Sequence, residues 1–120
     1  MHTTRFLPML YLVAALSLTS TARAQDTRLA AMREATRELA ARATSVRARA
    51  ERADPRVRRE SERILGIVEE KGASIAVRLD LIELLGRDDP IEESTIHEIE
   101  TAYRSAHTLL RTVEAWYAAH

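Results

Sequence analysis

A chain of 120 residues without a cysteine has room for one domain, and it excludes disulfides, thiolate metal sites, c-type haem attachment and a Cys nucleophile together. Its 18 basic and 18 acidic side chains balance, and its aromatic residues are few and crowded toward the C-terminus, a poor platform for stacking nucleic-acid bases. The basic side chains are Arg throughout except Lys71, which points to a G+C-rich bacterial coding bias.

The first segment reads as an address. His2-Thr-Thr-Arg5 is a short basic stretch, Phe6 to Leu18 is apolar apart from Pro8 and Ser17, and Ala22-Arg23-Ala24 is an A-x-A cleavage signature. The apolar run falls short of the roughly 20 residues that span a bilayer. Residues 1–24 are therefore expected to be a cleaved signal peptide. The mature domain would be residues 25–120, beginning at Gln25, in the periplasm or outside the cell. A small exported domain without disulfides must rely on a packed core, which favours helices.

The first mature helix is expected over about Thr27–Ala53, because Leu29, Met32, Thr36, Leu39, Ala43, Val46 and Ala50 recur in alternating steps of three and four. Asp54-Pro55 breaks the chain, with Asp54 suited to cap the next helix and Pro55 to its first position. A second helix is expected over about Pro55–Lys71, with Gly72 as a left-handed C-cap and Ser74 capping a third helix, Ile75–Leu85. That third segment is apolar on all sides except a stripe through Asp80, Glu83 and Arg87, so it should be covered on two faces.

The last helix follows Asp89 as cap and Pro90 as first residue. Ile96, Ile99, Tyr103, Ala106, Leu110, Val113 and Tyr117 form its heptad seam, widened by Ala102, Leu109 and Trp116. Four helices with short connections predict an all-α, up-down-up-down four-helix bundle, its first and last helices long and its middle hairpin short. In that arrangement the long pair is antiparallel. Leu39 then faces Leu110, Met32 faces Tyr117, and Arg33 and Arg47 lie near Glu114 and Glu100.

Charge follows the same logic. Residues 26–63 carry 11 Arg against 7 acids, and residues 64–120 carry 5 basic against 11 acidic side chains. The two halves are expected to answer each other within the fold rather than to bind nucleic acid.

Chemistry is sparse. No G-x-S-x-G, phosphate-binding glycine loop or H-E-x-x-H occurs. Glu93, His97 and Glu100 lie on one helix face, each about a turn from the next, but read as a solvated face. The expectation is a non-enzymatic helical interaction protein of the bacterial envelope without a cofactor, of chaperone, inhibitor or accessory-subunit type.

The short middle hairpin would leave apolar surface uncovered at the far end of the long pair. Leu29, Met32 and Ala35 of the first helix, with Leu109, Val113, Trp116 and Tyr117 of the last, form this expected contact site. Trp116 and Tyr117 would anchor a protein partner or a second copy; a membrane surface ranks behind these. One alternative comes from layout. An exported four-helix bundle with Met32 early in its first helix and His120 ending its last resembles the cytochrome b562 family. That resemblance implies a haem-binding electron carrier with Met32 and His120 as the iron ligands.

Overall fold

The seam of the middle region does not stop at Gly72. Ser61, Leu65, Val68, Gly72, Ile75, Leu79 and Ile82 continue the three-four alternation without interruption. In the computed structural model they lie on one helix. The chain forms three helices: α1, Leu7–Ala50; α2, Pro55–Leu84; and α3, Glu93–Ala119. The structure describes residues 7–86 and 90–119, with side chains from Thr21 onward. The expected basic stretch before Phe6, the side chains of the apolar run, the Asp89 cap and His120 lie outside the described residues.

The four-helix bundle is thus corrected to three helices. The physical reason is that Gly72, half-buried, falls on the seam of α2. A glycine inside a helix costs about 1 kcal/mol, whereas burying each large aliphatic side chain contributes roughly 1.5–3 kcal/mol. Leu65, Val68, Ile75 and Leu79 are all buried, and a break at Gly72 would turn the last two off the seam. α1 packs against this position: a Cβ on Gly72 would stand 3.6 Å from Cδ2 of Leu39, an ordinary contact. The left-handed residue expected at Gly72 occurs at Gly86 instead, with φ of 69°. At the other end of α2 the Asp54 carboxylate accepts from the amide of Arg56 at 2.9 Å, and Pro55 takes the first helical position.

One hairpin fewer reverses the last helix. α2 is antiparallel to both neighbours, so α1 and α3 run parallel, and the antiparallel register is overturned. The ion pairs record both directions. Between α1 and α3, Arg28 reaches Glu93 at 2.7 Å and Glu100 at 2.5 Å, Arg42 pairs with Glu114, and Arg49 donates to the carbonyl of Tyr117 at 3.1 Å. Between α1 and α2, Arg33 holds Asp80 and Glu83, each at 2.8 Å, and Arg47 holds Glu69 at 2.7 Å. Arg33 and Arg47 therefore face α2, not Glu114 and Glu100. The basic α1 is matched against acids on both other helices.

Individual seams fared better than their pairing. Leu39, Ala43, Val46 and Ala50 of α1 are buried with Leu65 and Val68 of α2 and Ala106, Leu110, Val113 and Tyr117 of α3. A second cluster, Leu29, Ile75, Leu79, Ile96 and Ile99, fills the end where α1 enters the bundle.

Glu114 offers a pH test of its own ion pair. Its carboxyl is held below the ordinary range, first by the hydrogen bond from Arg42, while desolvation opposes the shift. A depressed folded value contributes stability that is present above the unfolded pKa of about 4.3 and lost as pH falls through the folded value. Glu114→Gln is expected to lower Tm at neutral pH, with the gap to wild type closing below about pH 4. A gap that persists unchanged through that window would contradict the Arg42–Glu114 pair.

Candidate functional site

The end of α3 carries two aromatic neighbours with opposite fates. Tyr117 is on the seam and buried: its hydroxyl is 2.6 Å from Oγ of Ser61, and the Arg49 guanidinium lies over its ring at 5.6 Å. Trp116 is one position off the seam and 38 % exposed. Its ring meets Tyr117 edge-on, with centroids 5.1 Å apart, so a fixed base supports a partly open indole. Beside it α2 and α3 border a cleft of about 180 Å³ lined by Val57, Glu60, Ser61, Ile64, Thr112, Val113 and Trp116. Ser61 is fully engaged there, since its hydroxyl also reaches the carbonyls of Val57 and Arg58 at 3.1 Å each. The cleft therefore offers an apolar wall and an indole, and no unspent buried polar group.

The seven expected contact residues do not form one surface. Leu29 is buried in the cluster at the entry end of α1, Met32 packs half-buried against the same cluster, and Ala35 is half-buried nearby in sequence. Val113, Tyr117 and the half-buried Leu109 belong to the cluster at the opposite end. Because α1 and α3 are parallel, Tyr117 lies level with Arg49, 17 residues or roughly 25 Å along α1 from Met32. Of the two residues that the resemblance to the cytochrome b562 family singled out, Met32 packs half-buried at the entry end of α1 and His120 lies outside the described residues; the four-helix layout itself is replaced by three helices.

Two larger clefts flank the contact of α1 with α2. One of about 510 Å³ extends from Asp26 and Leu29 to Ile82 and Gly86; another of about 420 Å³ runs over Ala40, Ala43, Gly72, Ala73 and Ala76. Their charges are mutually satisfied, Arg33 being shared by Asp80 and Glu83. The Glu93 and Glu100 carboxylates around His97 both serve Arg28. Among the described residues no group of three His, Cys, Asp or Glu side chains is placed to hold a metal ion, and no helix is long and apolar enough to cross a membrane.

Two features escaped the sequence reading. Val77, Leu81 and Leu84 of α2 and Leu85 just after it stand exposed, in the segment whose all-round apolarity suggested cover on two faces. The second is Gln25, whose buried side-chain amide donates to the Ile91 carbonyl at 2.8 Å and accepts from the Ile91 amide at 2.9 Å. Glutamine has no periodicity that announces such a clamp. Comparison of the chain with protein-family models, curated proteins and solved structures finds no match.

Proposed function

We propose that the chain is a small, exported, non-enzymatic helical interaction protein of the bacterial envelope, periplasmic or secreted, that binds a protein partner at its Trp116 end. The supporting observation is the 38 % exposed Trp116 beside its apolar cleft. Sites for drug-sized ligands and cofactors run to about 300–1,000 Å³, so a cleft of about 180 Å³ suits one inserted side chain. Exposed indoles on a rigid base concentrate interface energy. Tyr117 serves this site from behind, holding α3 against α2 through Ser61. An inhibitor or accessory subunit, presenting one fixed anchor, fits better than a chaperone that must accommodate many shapes.

Trp116→Ala is expected to weaken self-association, or photo-crosslinking to an envelope protein, at least about tenfold, the usual scale of a lost hot spot. Helicity should be kept, because the indole is outside both buried clusters. Unchanged association and crosslinking would remove this end as the contact site.

A further inference from the structure

The start of α2 breaks a local charge rule. A helix N-terminus favours acidic side chains, yet the first turn of α2 holds none and carries Arg56 and Arg58 instead. Residues 47–63 as a whole hold 7 Arg against 4 acids. Arg47 is spent on Glu69 and Arg63 on Glu60, and Arg58 stands 3.9 Å from Glu62. Arg52, Arg56 and Arg59 are exposed and have no ion pair among the described residues. A local rule broken with no compensating contact inside the fold is the mark of a functional surface.

Helical spacing sets this charge beside the Trp116 cleft. Arg56, Arg59 and Arg63 recur in steps of three and four, so they form one stripe along α2. At 100° per residue Glu60 stands between that stripe and the pair Val57 and Ile64, and all three of these residues line the cleft. The facing bank on α3 is Thr112, Val113 and Trp116, without a charge. Glu60 is the one carboxylate among the lining residues, and Arg63 already holds it at 2.8 Å. The cleft thus joins an apolar slot for one side chain to a bank of unanswered guanidinium groups.

We propose that its occupant is an acidic segment of a protein partner. One large apolar side chain enters beside Trp116, and flanking carboxylates meet Arg56 and Arg59. This rests on the reading of the Trp116 end as the contact site and supplies the chemistry of its partner. Guanidinium groups take carboxylates two hydrogen bonds at a time, which orients the segment along α2. Other occupants fit less well. Single-stranded nucleic acid stacks on aromatic faces in series, and here one indole packs edge-on against Tyr117. Anionic lipid recruits clusters of about 4–8 basic side chains, more than this stripe supplies. A second copy could offer its exposed Leu81 and Leu84, but the acids beside them, Asp80 and Glu83, are spent on Arg33.

The chain has a single Trp, so the site is its own reporter. Peptides are selected from a random displayed library on the full chain. Their binding is read at low salt by the anisotropy of a dye on the peptide and by Trp116 emission. The selected peptides are expected to carry acids around one large apolar residue. Arg56→Glu with Arg59→Glu should weaken them at least about tenfold and keep Tm, because acids suit a helix start. Replacing the flanking acids of the peptide with lysines should restore binding to that double variant. Selected peptides that are basic or uncharged, indifference to the double reversal, or a library without a specific binder would overturn the acidic partner. If uncharged peptides are nevertheless lost with Trp116→Ala, the Trp116 site itself stands. Binding that survives Trp116→Ala would defeat both readings. A change in Trp116 emission with phosphatidylglycerol vesicles, single-stranded DNA or rising protein concentration, and none with acidic peptides, would give the cleft to a membrane, a nucleic acid or a second copy instead.

Discussion

Ala73→Pro is expected to destabilise the protein by about 3 kcal/mol or more. Ala73 is exposed, so no core contact is disturbed. Proline there removes the amide that bonds the carbonyl of Glu69 in a continuous α2, and its ring clashes with that carbonyl. For a domain near this size the loss corresponds to a fall in Tm of roughly 12–24 °C. Had the middle region been two helices joined around Gly72, residue 73 would sit in a connection and accept proline at little cost. A Tm within about 4 °C of wild type would therefore restore the break at Gly72.

The second large effect is at Leu110, fully buried where α3 meets Leu39 of α1 and Leu65 of α2 in one cluster. Leu110→Ala deletes contacts to both other helices at once and is expected to cost about 2–5 kcal/mol, the spread depending on how far the walls collapse. Thr112→Ala, two residues away and exposed, should stay within about 0.5 kcal/mol. Equal effects at the two positions, measured by urea denaturation, would mean that the seam of α3 faces elsewhere.

These positions show what the sequence carried and what it did not. The seams of α1 and α3 were legible residue by residue, because the three-four alternation states which side of a helix is apolar. The Asp54-Pro55 start of α2 was legible for an equally local reason, the geometry before proline. Gly72 was misread because its residue type argues for a cap while its place in the sequence 68, 72, 75 argues for a seam. The seam decides, since several buried aliphatic residues outweigh one glycine. Everything downstream inherited that choice. Removing one turn reverses α3, exchanges the partners of Arg33 and Arg47, and divides the expected contact site between two ends. Pairing charges by register could not expose the error, because α1 is rich enough in Arg to match Glu114 in either direction: Arg33 antiparallel, Arg42 parallel. Trp116 survived as a candidate because its position one step off the seam is a property of α3 alone. The aliphatic face of α2 was visible as excess apolarity, but only the continuous helix turns Val77, Leu81 and Leu84 outward.

The parallel course of α1 and α3 is the claim on which the separation of the two ends depends, and spin-label distances test it most directly. Pairs of cysteines replace Thr27 with Ser94, and Thr27 with Ala118, all at exposed positions. Adjacent helix axes lie about 8–10 Å apart, so labels at 27 and 94 are expected within about 20 Å of each other. Ala118 is level with the far end of α1, near Arg49, which puts the second pair about 30 Å apart or more. A short distance for 27–118 with a long one for 27–94 would make the pair antiparallel and contradict the fold described here.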